Sequence, residues 1–226
     1  MNEPAGGPDE AALIEAGRKF FAGPCDFFFA AAKSDALPPI GAPEIAFAGR
    51  SNAGKSSAIN AIAQRHALAR TSKAPGRTRL LNFFELVPQG RIVDLPGYGY
   101  ASAPQSERRT WAPLIDALRA RRSLYGLFLI VDARRGISDA DQELIAWAQP
   151  QQRGVHVLLS KVDKLTRNEA ARVLQAAKVQ VASDVSLQLF SAHAATGVAE
   201  AQSKLAQWLS NNKKTPVTSL EITGAD

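Results

Sequence analysis

Apolar runs and stretches of helical periodicity alternate along most of this chain. Runs typical of buried strands lie at 44–48, 127–132, 154–159 and 187–190. Residues 80–87 and 91–94 flank a Pro-Gln-Gly turn, which predicts an antiparallel hairpin. Spacing near 3.6 residues predicts helices at 11–21, 55–64, 106–122, 138–147, 167–181 and 198–209.

This alternation predicts an α/β fold: a six-stranded, mostly parallel sheet with one antiparallel strand and helices on both faces. Ligands of such sheets bind beyond the carboxyl ends of the strands. We expect the main domain to span 37–211. An N-terminal extension over 1–36 is expected to be partly disordered or helical, and 212–226 to form a flexible tail. The triplet Phe27–Phe29 is expected to be core, with partner binding as the alternative.

Composition is that of an ordinary globular protein: 226 residues, 46% of them hydrophobic. The single cysteine, Cys25, excludes an internal disulfide and is interpreted as a small apolar filler rather than a catalytic thiol. Residues 1–10 are acidic and lack the pattern of a secretory signal, and no apolar run approaches the roughly 18 residues of a membrane span. We therefore expect cytoplasmic residence and no membrane partner.

Positive charge is concentrated in one part of the chain. The formal net charge is +6, and no acidic residue lies between Glu44 and Glu85. Basic residues in that interval are Arg50, Lys55, Arg65, Arg70, Lys73, Arg77 and Arg79, and further clusters lie at 108–109, 119–122 and 134–135. One cluster alone is as readily a solvated face, but the whole set favours a nucleic-acid surface.

A phosphate-binding loop follows the first predicted main-domain strand. Residues 49–57 contain G-x-x-x-x-G-K-S and open a predicted helix, a context in which backbone N–H groups surround a pyrophosphate. Lys55 is predicted to reach the β- and γ-phosphate oxygens, and Ser56 to bind Mg²⁺. The predicted nucleotide-binding residues here are Gly49, Arg50, Ser51, Asn52, Ala53, Gly54, Lys55, Ser56 and Ser57.

Asp94-Leu95-Pro96-Gly97 follows the second strand of the hairpin. A carboxylate at the carboxyl end of a strand can hold Mg²⁺ through water, and the N–H of a following glycine can donate to a γ-phosphate. Asp94 and Gly97 therefore complete the predicted phosphate site. Residues 98–100 form a pliable segment that could respond to that phosphate.

The base-binding candidate is Ser160-Lys161-Val162-Asp163, directly after a buried strand. The Asp163 carboxylate can accept two hydrogen bonds from guanine, whereas adenine offers no such pair of donors. The stem of Lys161 can lie along the purine ring. Ser191, Ala192 and His193 end the last predicted strand, where the backbone N–H of Ala192 could donate to the guanine carbonyl.

These segments together resemble the EngB family of bacterial GTPases, within the TrmE-Era-EngA-like group, over about residues 37–210. The resemblance is carried by residues 43–57, 75–78, 82–84, 94–100 and 161–164. It implies a Ras-like P-loop GTPase fold, GTP or GDP with Mg²⁺ as ligands, and a role in assembly of the large ribosomal subunit. The expected partners are that subunit's precursor and its ribosomal RNA, without DNA specificity, and the expected state is a monomer.

The resemblance also assigns roles to single residues. Thr78 matches the switch threonine that closes on Mg²⁺ and the γ-phosphate, so Lys55, Thr78 and Gly97 are the predicted catalytic groups. Asn52 matches an asparagine that coordinates K⁺ in related GTPases. Tyr98 stands where Ras-type GTPases place the glutamine that orients the attacking water, which predicts slow intrinsic hydrolysis.

Two departures from the family pattern bear on guanine binding. Ser160 replaces a threonine or asparagine, and its hydroxyl offers no amide to the purine, which predicts weaker binding. Ala192 replaces a common serine, with little expected effect because the backbone N–H makes the contact.

Two other functions stay open. A protein-binding GTPase linked to cell division (septation) would share every nucleotide motif. A P-loop phosphotransferase would need an arginine-bearing lid, and Lys161 with Asp163 argues against it. His66, His156 and His193 lack the spacing of a transition-metal site.

Overall fold

The computed structural model describes residues 10–69, 80–88, 90–98, 105–149 and 153–211. The strands are β1 (Cys25–Ala31), β2 (Glu44–Gly49), β3 (Leu81–Leu86), β4 (Gly90–Asp94), β5 (Leu124–Asp132), β6 (Gly154–Ser160) and β7 (Ser186–Leu189). The helices are α1 (Glu10–Phe20), α2 (Lys55–Ile62), α3 (Gln105–Ala120), α4 (Asp139–Ala148), α5 (Arg167–Gln180) and α6 (Val198–Asn211). None of the helices described is long and apolar enough to cross a membrane.

All seven strands form one sheet in the order β1-β3-β4-β2-β5-β6-β7. Strand β3 is antiparallel to both of its neighbours, β1 and β4, while every other pairing is parallel. The prediction of a mostly parallel sheet with one antiparallel strand is therefore confirmed. The predicted count of six was wrong, because Cys25–Ala31 was assigned to an extension and instead adds an edge strand.

Each face of the sheet carries its own hydrophobic core. One core contains Leu114 and Leu118 of α3, Ile145 of α4 and Ala177 of α5. The other includes Ile59 and Ile62 of α2 together with Leu205 and Leu209 of α6. Helices thus cover both faces, as parallel sheets require, and the carboxyl ends of β2, β4, β5 and β6 are left at one rim.

The prediction that Phe27–Phe29 is core was wrong. The three side chains are 60%, 39% and 38% exposed on edge strand β1. Neighbouring Cys25 is buried as expected, and burial raises the pKa of its thiol to about 11. The thiol therefore stays protonated near neutral pH and is a poor nucleophile.

A buried ion pair lies near the amino-terminal ends of the central strands. Glu44, fully buried at the start of β2, accepts from Arg121 Nε at 2.8 Å and Arg121 Nη2 at 2.7 Å. The Ser123 hydroxyl donates to the same carboxylate at 2.8 Å. These bonds connect β2 to the turn between α3 and β5. This contact lies at the amino-terminal end of β2, and the phosphate loop lies at the other end.

Candidate nucleotide-binding site

The phosphate loop joins buried strand β2 to helix α2. A side chain at Gly49 would place Cβ 2.8 Å from the Ile130 carbonyl oxygen, so the loop can leave the sheet only with glycine there. Gly54 has a φ of 102°, a left-handed conformation that glycine adopts without strain. Helix α2 begins at Lys55, so its N-terminal N–H groups open onto the loop.

Lys55 and Asp94 meet at the phosphate end of the site. The Lys55 ammonium contacts Asp94 Oδ1 in an ion pair whose side chains are 12% and 11% exposed. Asp94 ends β4, which lies parallel and adjacent to β2. The fold therefore brings together the two charged groups that were assigned to the phosphates and to Mg²⁺.

The segment after Asp94 lies along the phosphate loop. The Ser51 N–H donates to the Tyr98 carbonyl at 3.0 Å, and the Tyr98 N–H reaches the Gly49 carbonyl at 3.4 Å. A Cβ on Gly97 would lie 3.3 Å from Ser51 Cα. The backbone of Gly97 is thus held close to the phosphate loop.

The Tyr98 side chain is anchored at the start of α4. Its hydroxyl donates to Asp141 Oδ1, while Asp141 Oδ2 accepts from the Ser138 N–H at 2.7 Å and the Ser138 hydroxyl at 2.5 Å. Burial, and then the Asp141 carboxylate, raises the pKa of Tyr98 far above its usual range. The phenol therefore stays protonated, and its hydroxyl serves a structural bond.

Ser160 links the base end of the site to the phosphate loop. Its Oγ lies 2.6 Å from the Ala53 carbonyl oxygen and 3.0 Å from that of Val131. A hydroxyl has one proton, so it can donate to one of these carbonyls at a time. Ser160 is 3% exposed, which makes it a tether between β6 and the loop rather than an exposed contact for the base.

The Asp163 side chain is 14% exposed, and a serine in the turn after β7 holds its carboxylate. The buried Ser191 hydroxyl donates to Asp163 Oδ1 at 2.6 Å, and Lys164 Nζ lies 3.3 Å from Oδ2. The Ser191 hydrogen bond is the main cause that lowers the pKa of Asp163. A cleft of about 870 Å³ opens beside this carboxylate, and its lining includes Gly54, Ser57, Ser160, Lys161, Ala192 and His193.

Asp132 joins the site without having been predicted. It ends β5, and its Oδ2 accepts from Lys161 Nζ at 3.0 Å and from Arg134 Nη2 at 2.7 Å. The Arg134 guanidinium is the leading cause that holds the pKa of Asp132 far below its usual range. Lys161 also donates to the Asn52 carbonyl at 2.5 Å, so the salt bridge fixes the lysine across the phosphate loop.

A sequence signal for Asp132 existed, because it ends a buried strand at the same rim as Asp94. The structure thus brings together the predicted phosphate and base residues around one rim. Of the predicted site residues, Thr78 lies outside the described residues. Arg50, Ser51, Asn52 and Ala53 line a second cleft of about 300 Å³ with Arg134 and Arg135.

Comparison with known proteins agrees with this arrangement. A family model described as 50S ribosome-binding GTPase matches residues 44–161. The probable GTP-binding protein EngB of Aromatoleum aromaticum is 52% identical over 182 residues, covering 79% of this chain and 84% of that protein. The chain belongs to the EngB family of GTP-binding proteins. An EngB protein of Coxiella burnetii is 45% identical over 189 residues, 82% of this chain and 92% of that one.

Solved structures share the fold of this EngB-family chain. A crystal structure of a probable EngB protein gives a TM-score of 0.60 at 24% identity, covering 74% of this chain and 99% of that one. Era in complex with MgGDPNP and nucleotides of 16S ribosomal RNA gives 0.56 at 17% identity, covering 75% and 57%. The Ras-like GTPase fold is confirmed, and as an EngB-family member the chain binds GTP and is a GTPase.

Proposed function

We propose that this chain is a GTP-dependent switch that acts in the cytoplasm on precursors of the large ribosomal subunit and binds their RNA. The observation that carries the proposal is the position of Arg50, Arg134 and Arg135, which line a cleft directly beside the phosphate loop. Cations placed there can contact an RNA phosphate backbone next to the nucleotide site. The description of the matching family model, a ribosome-binding GTPase, supports the same partner.

The residues present suit a Mg²⁺–GTP complex. Hydroxyl and carboxylate oxygens are the ligands that Mg²⁺ prefers, and Ser56 and Asp94 supply them, Asp94 through water. Bound Mg²⁺ would neutralise charge on the β- and γ-phosphates. When GTP binds, Lys55 would leave its ion pair with Asp94 and contact the β- and γ-phosphates. The Gly97 N–H would donate to the γ-phosphate, and Thr78 would close over that phosphate. Asn52 is the proposed contact for K⁺.

Slow intrinsic hydrolysis is part of the proposal. The Tyr98 hydroxyl is bonded to Asp141, so it supports α4 instead of orienting an attacking water. A GTPase without such a group hydrolyses GTP slowly until a partner or a cation stabilises the negative charge of the transition state. We propose that ribosomal particles and K⁺ supply this stabilisation.

The test is co-sedimentation of the full chain with purified large-subunit particles, with GTP or a non-hydrolysable analogue and with GDP. We expect binding in the GTP state and release in the GDP state. Parallel assays of GTP hydrolysis in K⁺ or Na⁺, with and without particles, should show stimulation by K⁺ and by particles. Binding that ignores the nucleotide would contradict the switch, and absence of particle binding would favour a protein-binding GTPase of cell division.

A further inference from the structure

Edge strand β1 concentrates exposed apolar surface. Six large hydrophobic side chains among the described residues are exposed, and three of them are Phe27, Phe28 and Phe29. Val87 is 49% exposed and lies near the start of β1, because its N–H donates to the carbonyl of Pro24. Packing within the chain therefore leaves these phenyl rings only partly covered.

The outer edge of β1 also has no strand paired to it in the part of the chain that the structure describes. Strand β1 ends the sheet order and pairs only with β3 among the described strands. An edge strand of this kind presents N–H and C=O groups that another strand can satisfy. Exposed rings beside an open edge identify this surface as an interface for a further strand.

Residues 26–33 have the sequence Asp-Phe-Phe-Phe-Ala-Ala-Ala-Lys. The large and acidic residues of its first half match the small and basic residues of its second half when two copies run in opposite directions. In an antiparallel pair of two such segments, each phenylalanine lies opposite a small alanine and each aspartate opposite a lysine. Large residues opposite small ones pack without collision, and opposite charges across a pair are favourable. The complementary partner is therefore the same segment of a second molecule.

The bulge in β1 makes this register compatible with two-fold symmetry. Phe27 pairs with Phe84 and Phe29 with Phe83, so Phe28 is the extra residue. A two-fold axis perpendicular to a sheet requires one position to face its own copy. With Ala30 on the axis and Phe28–Phe29 counted as one position, Ala31 faces that pair. Ala32 and Lys33 follow the end of β1, so the strand has to extend by two residues in the dimer for Ala32 to face Phe27 and Lys33 to face Asp26.

Local charge also favours the incoming lysine. Asp26 is exposed and lies directly opposite Glu85 on β3, so two carboxylates are neighbours at this end of the edge. Lys33 is exposed and lies two residues beyond the end of β1, where the backbone bends at Ala32 and Lys33 before the helical turn Ser34–Ala36. Glu85 is already paired with Arg91, whose Nη2 lies 3.4 Å from Glu85 Oε1, and a lysine from a second molecule would place a cation beside Asp26 as well.

We propose that β1 is a self-association edge, through which two copies of this chain pair antiparallel and join their sheets. This replaces the sequence-based expectation of a monomer. The pairing leaves the phosphate loop and the base site free, because both lie at the carboxyl ends of central strands. It is independent of the proposed ribosomal role.

Sedimentation velocity of the full chain with GDP, from low to high micromolar concentration, tests the proposal. We expect a concentration-dependent dimer of the wild type. Asp26→Lys alone and Lys33→Asp alone should each weaken dimerisation about tenfold, since each creates two like-charge pairs in the symmetric dimer. The double variant Asp26→Lys/Lys33→Asp should restore dimerisation, because opposite charges are again paired, with their signs exchanged.

Matched controls are Asp184→Lys and Lys178→Asp, exposed residues beyond the edge, which should leave dimerisation unchanged. Bound GDP reports that each variant is folded. A wild type that stays monomeric throughout the range, or a double variant that fails to restore association, would overturn the proposal. A monomer whose edge variants lose particle binding would assign β1 to a different partner and overturn it as well.

Discussion

The proposed guanine contact involves two side chains, Asp163 after β6 and Ser191 after β7. The Asp163 side chain is 14% exposed, and the Ser191 hydroxyl donates to its Oδ1 at 2.6 Å. The same bond lowers the pKa of Asp163, so the carboxylate is charged at physiological pH. We propose that Asp163 supplies the guanine contact and that Ser191 positions it.

Substitution should separate these two roles. Asp163→Ala is expected to remove the preference for guanine over adenine nucleotides, whereas Ser191→Ala should weaken GTP binding about fivefold, the value of one hydrogen bond of about 1 kcal/mol, and keep the preference. Fluorescent GDP and ADP titrations measure both. Asp184→Ala serves as the control, and a guanine preference that survives Asp163→Ala would rule out this assignment.

Tyr98 occupies a position that related GTPases use for catalysis, but its hydroxyl is bonded to Asp141. Tyr98→Phe should therefore lower the free energy of unfolding by about 1–2 kcal/mol, since Asp141 is 1% exposed and loses a donor. The single-turnover rate of GTP hydrolysis should not fall. Urea denaturation and rapid-quench assays give the two values, and a large drop in rate would show that the phenol takes part in chemistry.

His156 is buried between strands and bonded on both ring nitrogens. Nδ1 lies 2.8 Å from Ser186 Oγ, and Nε2 lies 2.9 Å from Gln188 Oε1. Burial is the main cause that lowers the pKa of His156 from 6.5 to about 4. Between pH of about 4 and 6.5, the His156 ring is therefore neutral in the folded protein but protonated in the unfolded chain.

Stability should consequently decline as pH falls from about 6.5 to about 4. Above 6.5 the ring is neutral in both states and this loss is absent; below 4 it is complete, at about 3 kcal/mol for the cited shift. His156→Gln should show a shallower decline in urea midpoints over that interval. The exposed His66→Gln is the control, and identical pH profiles for wild type and His156→Gln would contradict the prediction.

At the scale of elements, the buried Glu44 carboxylate connects β2 with the α3–β5 turn. Its two oxygens accept from Arg121 and Ser123, and Arg91 of β4 lies 3.9 Å away. Because the group is fully buried, its charge must be matched within the protein. The pair fixes where β2 begins and hence where the phosphate loop leaves the sheet.

Glu44→Gln should lower the free energy of unfolding by about 3–5 kcal/mol, because it leaves the Arg121 guanidinium buried without a counter-charge. Chemical denaturation measures the change. Glu143→Gln, at an exposed site on α4, should change stability little. Equal stabilities of the two variants would mean that the buried pair contributes nothing net.

At the scale of the whole molecule, the net charge of +6 and the arginines beside the phosphate loop predict a strong salt dependence of particle binding. Arg135→Glu should weaken binding and reduce the slope of log affinity against log salt by about 1 or more. Lys178→Glu, on the exposed face of α5, is the charge-matched control. A salt-independent affinity would point to a protein partner instead of RNA.

Most of the architecture could be predicted because its signals are local. Buried parallel strands are continuous apolar runs, and the helices between them keep a helical period, so β2, β5 and β6 were predicted to within a few residues. Strand β1 could not be predicted in this way. Three consecutive phenylalanines have no strand alternation, and the bulge at Phe28 interrupts the period that remains.

The sequence by itself determined that this is a GTP-binding protein, since the phosphate loop, Asp94 with Gly97, and Lys161 with Asp163 are short motifs that can be recognised without knowing the tertiary structure. Only the tertiary structure decided which distant groups meet: Tyr98 with Asp141, Asp132 with Lys161 and Arg134, and Ser191 with Asp163. Those contacts join the ends of different strands and helices. Their partners depend on strand order and register, which no local pattern specifies.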